Sequence, residues 1–169
     1  MFERFFPDDY MVSTYKIPFE KLYEKGYRGV IFDIDNTLVP HGAPADERAK
    51  KLFKRLEKIG FVSCLISNNR EARVKMFNQE IRTNYIYNAH KPSAKNYIKA
   101  MEIMGTDRTN TVFVGDQLFT DVWGAKRAGI YNILVKPIHP KEEIQIVLKR
   151  RLEQIVLHFY KKRLKNKED

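Results

Sequence analysis

The chain has 169 residues, enough for one well-filled core and short for two, so a single domain is expected. Hydrophobic residues make up 43%, which excludes a disordered chain. Lysine and arginine number 31 against 21 acids, a net charge of +10 that points to an anionic partner or surface without saying which.

In chain order, the aromatic-rich opening Met1 to Tyr27 carries acids and a proline and lacks the continuous apolar core of a signal peptide. Apolar, β-rich runs follow at Arg28 to Asp35, Phe61 to Ser67, Asn84 to Ala89, Thr111 to Asp116 and Ile130 to Val135. Between them Asp46 to Ile59, Arg70 to Glu80, Ser93 to Met104 and Thr120 to Arg127 have helical spacing, with Gly60 and Gly129 as stop signals. Near-continuous strands joined by helices predict a three-layer, doubly wound parallel α/β sheet over residues 28–136. The basic segment 139–167 is expected to form an amphipathic helix. Cys64 is the one cysteine, so no intramolecular disulfide is possible, and no window approaches the ~18 apolar residues of a membrane span. A reducing, cytoplasmic setting is expected, with a membrane surface still open as a workplace.

Ligands of open α/β sheets sit at the carboxyl ends of the strands. There this sequence places Asp33 and Asp35, then Ser67, Asn68 and Asn69, then Lys91, then Asp116 with Asp121 five residues on. Asp33 and Asp35, two apart on an extended segment, are expected to point to the same side and to repel unless a cation holds them. With Asp116 they make an oxygen-rich site suited to Mg²⁺, which favours a few carboxylates together with a substrate phosphate. Such a cation would screen the attack of one carboxylate on phosphorus, which is covalent catalysis through an aspartyl phosphate. The segment Val39 to Gly42 is expected to form a flap over the acids.

The segments Asp33-Ile34-Asp35-Asn36-Thr37, Ser67-Asn68-Asn69, Lys91-Pro92 and Gly115-Asp116-Gln117-Leu118-Phe119-Thr120-Asp121 resemble the four ordered motifs of the haloacid dehalogenase (HAD) superfamily phosphatases. The resemblance implies Asp33 as nucleophile and Asp35 as general acid and then base. It implies Ser67, Asn68 and Lys91 around the phosphoryl oxygens. Asp33, the backbone carbonyl of Asp35, and Asp116 would bind Mg²⁺, with Thr37 and Asp121 supporting them. The acid at position 35 favours a phosphatase over a dehalogenase. Taken singly, Thr37 also reads as a helix N-cap, Asp121 as a solvated first-turn acid and Lys91 as a surface lysine. His41 and His90 adjoin the motifs, and their roles stay open.

Only 31 residues separate Asp35 from Ser67, and 21 separate Asn69 from Lys91. Neither gap holds a folded cap domain, so the crevice should accept a phosphate that projects from something large. The opening FFPDDYMVSTYKIPFEKLYEKGYRGVIFDIDNTLVPHG and the stretch Gly115 to Gly129 further resemble the capless YqeG-like branch, which includes phosphatidylglycerophosphate phosphatases. That resemblance implies a lipid head-group phosphate as substrate. The C-terminal stripe Ile144, Val147, Leu148, Leu152, Ile155 and Phe159, with basic residues off it, fits either an anionic membrane surface or a cover for a sheet edge. The N-terminal aromatics fit a membrane interface or packing on the domain. Nucleic-acid ends and small phosphorylated metabolites are alternative substrates, a phosphate-sensing scaffold is the alternative to an enzyme, and oligomeric state is left open.

Overall fold

The computed structural model describes residues 2–138 and 144–168, and side chains outside 144–147 and 168. At its centre lie six strands: β1 (Asp9–Met11), β2 (Gly29–Phe32), β3 (Val62–Ile66), β4 (Asn84–Ile86), β5 (Thr111–Gly115) and β6 (Tyr131–Val135). All pair in parallel, in the order β1-β6-β5-β2-β3-β4. β2 is central, with Gly29 opposite both Val62 and Thr111, and its four residues are all buried, as a strand covered on both faces must be.

Alternation along the strands sorts the core into two halves. Val30, Phe32, Val112 and Val114 face α1 (Phe19–Glu24), α2 (Glu47–Ile59) and α3 (Glu71–Ile81). Ile31, Cys64, Ile66 and Phe113 face α4 (Lys95–Met104) and α5 (Trp123–Arg127). Each fully buried Phe or Leu contributes roughly 2 kcal/mol through the area it removes from water. Local chemistry agrees with these elements. Asp46 accepts the Ala49 N–H at 2.9 Å to start α2, and Gly60, at φ 115°, ends it in a left-handed turn open mainly to glycine. The three-layer doubly wound sheet expected from the sequence is therefore present, and no cap domain is inserted in it.

Of the alternatives open for the flanks, both segments pack on the domain. The opening segment joins the sheet, because β1 pairs with β6 at the edge, and it also supplies α1. Its aromatics pack inward: Phe5 meets Phe119 and Trp123 at 5.0 and 5.4 Å between ring centroids, Phe6 meets Tyr160, and Phe19 is fully buried. The last helix, α6 (Ile144–Glu168), covers this edge with Glu153, Val156 and Tyr160. Leu148, Leu152, Ile155 and Phe159 lie on its outer side and are 46–58% exposed, so the stripe marked in the sequence is not the face that covers the sheet. Residues 139–143 and the side chains of Ile144 and Val147, which also belong to that expected helix and stripe, lie outside the described residues. Among the described residues no helix is long and apolar enough to cross a membrane.

Candidate active site

β2 ends at Phe32, and the chain turns within four residues because Thr37 and Leu38 return their N–H groups to the Ile34 carbonyl and Asn36 adopts φ 61°. Two residues of the N-terminal segment brace this turn. Thr14 Oγ1 donates to the Thr37 carbonyl at 2.8 Å, and the Tyr15 hydroxyl donates to the Leu38 carbonyl at 2.6 Å. Asp33, just past the strand, is 7% exposed and faces the sheet's carboxyl edge.

Three chain segments meet there. Lys91 Nζ donates to Asp33 Oδ1 at 2.8 Å and to Asp121 Oδ1 at 2.6 Å. Thr37 Oγ1 lies 3.3 Å from Asp33 Oδ2 and 3.1 Å from Asp116 Oδ1. Asp121 Oδ2 accepts the N–H groups of Asp116 and Gln117 at 3.2 and 3.0 Å. Asp33, Asp116 and Asp121 thus bring carboxylate oxygens within 4.8 Å of one another, all buried.

Asp121 reaches back in this way because residues Leu118–Val122 form a widened, π-type turn ahead of α5, where the sequence suggests a helix starting at Thr120. The Tyr97 hydroxyl lies 3.1 Å from the Thr120 and Asp121 carbonyls and holds that turn in place. Gly115 is needed for the same reason: a Cβ on it would sit 2.6 Å from the Asp121 carboxylate.

So dense an array of acids is costly without a further cation. Burial, and then the nearby charges of Asp121 and Asp116, drive Asp33 well above the usual carboxylate range despite Lys91. Burial and Asp121 push Asp116 up to about 6, against the opposing pull of Arg150. Burial disfavours the charge on Lys91, but Asp121 and Asp33 outweigh it and hold its pKa above the ordinary lysine value. The Thr37 hydroxyl has one proton for two carboxylate oxygens, so Asp33 Oδ2 and Asp116 Oδ1 together accept less than they can. A hard divalent cation, which prefers carboxylate oxygen, fits this donor set.

The Asp35 carboxylate takes partners outside the buried Asp33, Asp116 and Asp121 cluster. Oδ1 accepts from Arg73 Nη2 at 2.8 Å, Arg73 Nε at 3.1 Å and the Gly42 N–H at 2.8 Å, with His41 Nδ1 at 3.9 Å. The left-handed turn at Asn36 and the bridge from Asp35 to Val39 bring the chain round so that the Gly42 N–H reaches Asp35. Burial raises the Asp35 pKa, but the Gly42 N–H and Arg73 overcome it and leave the group below the usual value. Of the Val39 to Gly42 segment, it is Gly42 that reaches Asp35, through its N–H.

Ser67, at the end of β3, is 3% exposed, and its hydroxyl accepts the Asn69 N–H at 3.0 Å. The Asn68 amide clamps the Lys91 backbone, accepting its N–H at 2.7 Å and donating to its carbonyl at 3.1 Å. The Lys91-Pro92 peptide is cis. Thr37 starts no helix, and neither Asp121 nor Lys91 is solvated. His41 and His90 are exposed.

Three contributors were not visible in the sequence. Arg73 is on α3, with Nη1 buried and unpartnered. Arg150 of α6 donates to Asp116 Oδ2 at 2.5 Å and to the Asp116 carbonyl at 2.7 Å. Glu153, one turn on, accepts the Leu118 N–H at 3.0 Å and pairs with Arg150 at 3.1 Å. No local signal separates Arg150 from Lys149 and Arg151 beside it.

Comparison with known proteins agrees with this site. Residues 88–144 match the HAD-hydrolase-like family model. The chain is 35% identical over 165 residues to the probable phosphatase YqeG of Bacillus subtilis (strain 168), covering 96% of both chains. It is 30% identical over 158 residues to phosphatidylglycerophosphate phosphatase 1, chloroplastic/mitochondrial, of Arabidopsis thaliana, covering 83% of this chain and 44% of that one. Among solved structures it shares its fold with 3-deoxy-D-manno-octulosonate 8-phosphate phosphatase from Moraxella catarrhalis, determined with magnesium, phosphate and the sugar acid. The TM-score is 0.50 at 15% identity, covering 68% of this chain and 72% of that one. Sheet, carboxylate cluster and near full-length similarity to the Bacillus protein agree: the chain belongs to the HAD-like hydrolases, in the capless YqeG-like group, and is a phosphatase.

Proposed function

We propose that the protein is a Mg²⁺-dependent phosphomonoesterase that works through a phosphoaspartate at Asp33 and acts on a phosphomonoester carried by a lipid head group. The observation that supports the chemistry most strongly is the buried cluster in which Lys91 joins Asp33 to Asp121 while Asp116 faces Asp33 across the Thr37 hydroxyl.

In this reading Asp33, Asp116 and the backbone carbonyl of Asp35 hold Mg²⁺, and when bound the ion offsets the repulsion between carboxylate and phosphate. An Asp33 carboxylate oxygen attacks phosphorus, the bond from phosphorus to the ester oxygen breaks, and Asp35 passes a proton to the departing alkoxide. The contacts of Asp35 all use Oδ1, which leaves Oδ2 to carry that proton. Its resting pKa is low, and the negative charge of the arriving phosphate raises its hold on a proton. Asp35 then takes a proton from water, the water oxygen bonds to phosphorus, and the bond to Asp33 breaks to release inorganic phosphate. Lys91 and Ser67 hold phosphoryl oxygens, with the Asn68 clamp fixing the lysine's backbone and Asp121 its ammonium group.

Support for the lipid is of a different kind. The Arabidopsis relative is named for phosphatidylglycerophosphate, the crevice has no cap, and α6 turns Leu148, Leu152, Ile155 and Phe159 outward beside Arg151 and Lys162. Such a face suits peripheral contact with the anionic surface of a membrane from the cytoplasmic side. Within the one domain, residues 1–27 brace the first motif, 28–136 carry the chemistry and the last helix, expected over 139–167, meets the membrane. Phosphorylated nucleic-acid ends rank lower, because the sequence carries no recognisable nucleic-acid-binding motif.

The test is Asp33→Asn. It should leave the circular dichroism spectrum intact and lower phosphate release at least about 10³-fold, the scale of losing a nucleophile. Near-normal turnover by the folded variant would refute the covalent route.

A further inference from the structure

Beside the carboxylate cluster, the carboxyl ends of β1 and β6 and one flank of α6 enclose a cavity of about 740 Å³. Its apolar lining comes from Leu118, Leu134, Val135, Ile138 and Leu157. Asp116 and Arg150 also line it, so it shares a wall with the site of phosphate chemistry. Lys136 and Lys161, both exposed, add cationic character where it meets solvent.

We propose that this cavity binds the apolar body and adjoining phosphodiester of one anionic phospholipid molecule, the same molecule whose terminal phosphomonoester reaches Asp33. The proposal rests on the phosphomonoesterase reading of the Asp33 site and names where the rest of its substrate goes. Three observations carry it. The volume and mainly apolar lining, with a few charged groups converging at one side, are those of a site for an amphiphilic small molecule. The one acid in the lining other than Asp116 is already satisfied, since Glu153 accepts from Leu118 and Arg150, so the outer charge presented to a ligand is that of Lys136 and Lys161. Finally, Asp116 lines the cavity and belongs to the carboxylate cluster, so a phospholipid seated here holds its head group beside that cluster.

The probe is 1-acyl-lysophosphatidylglycerol below its critical micelle concentration, titrated calorimetrically into the full chain, with lysophosphatidylcholine and glycerol phosphate as comparisons. The lysophosphatidylglycerol should bind at least about tenfold more tightly than either. Leu157→Trp, which fills the cavity, and Lys161→Glu, which reverses charge at an exposed position with little demand on folding, should each weaken it by at least about tenfold. Equal affinity for the two lysolipids, or unchanged affinity in both variants, overturns the proposal. So does self-association that Lys161→Glu abolishes without any lysolipid binding, because the cavity would then serve a second copy of the chain. The probe has no phosphomonoester, so its binding is independent of turnover. Intact binding with no phosphate release from any ester would count against the Asp33 reading and not against the cavity.

Discussion

Arg150, on the last helix, donates to Asp116, at the end of β5, through both the carboxylate at 2.5 Å and the backbone carbonyl at 2.7 Å. The pair joins positions 34 residues apart and is enclosed, with the Arg150 side chain 15% exposed and that of Asp116 fully buried. The C-terminal helix is therefore part of the site. Truncating one member of a buried ion pair leaves the other uncompensated, which costs about 3–5 kcal/mol. Arg150→Ala should lose stability near the lower end of that range in chelator. Mg²⁺ should restore more of it than it adds to the wild type, because the ion replaces the missing positive charge. Urea denaturation of both proteins with and without Mg²⁺ measures this, and equal Mg²⁺ effects would separate Arg150 from metal binding.

The acids supply a pH dependence of unusual sign. Asp116 has its pKa raised to about 6 in the folded protein from 3.8, and Asp33 is raised as well. The native state then holds more protons than the unfolded chain, so the contribution of Asp116 to stability is fully present below pH 3.8 and is lost as pH rises through about 6. In chelator, the stability difference between wild type and Asp116→Asn should shift against the wild type between pH 4 and pH 7. Added Mg²⁺ should bind and stabilise the wild type progressively better over the same interval, since it requires the ionised acids. A difference between the two proteins that does not vary with pH would contradict the assignment.

Much of this site could be read from residues because its members stand at strand ends, where a run of Val, Ile and Phe stops at an acid or a serine. Asp33, Ser67 and Asp116 follow that rule, and Lys91 comes five residues after the last residue of β4, Ile86. That the Asp35 carboxylate pairs with Arg73 and the Gly42 N–H could not be read from residues, because tertiary packing brings both partners to it. β1 escaped notice because three residues, Asp9–Met11, have no periodicity to detect, and parallel pairing with β6 is settled by tertiary contact. Arg73, Arg150 and Glu153 sit on helices rich in similar charges, where only the docking of the helix selects one of them.

The outer stripe of α6 supports a further expectation. Leu148 is 57% and Leu152 58% exposed, so Leu148→Glu with Leu152→Glu should cost little stability. The double variant should lose most of its co-sedimentation with vesicles rich in anionic phospholipid, and wild-type binding should weaken with salt. Equal sedimentation of the two proteins would remove the membrane role of this face.

The most direct test of the whole account is release of inorganic phosphate from phosphatidylglycerophosphate in mixed micelles, compared with 5′-phosphorylated oligonucleotides and a panel of small phosphomonoesters, with Mg²⁺ and with chelator. The account predicts release that requires Mg²⁺ and strongly favours the lipid. Release that is confined to the soluble esters, or that persists in chelator, would contradict it.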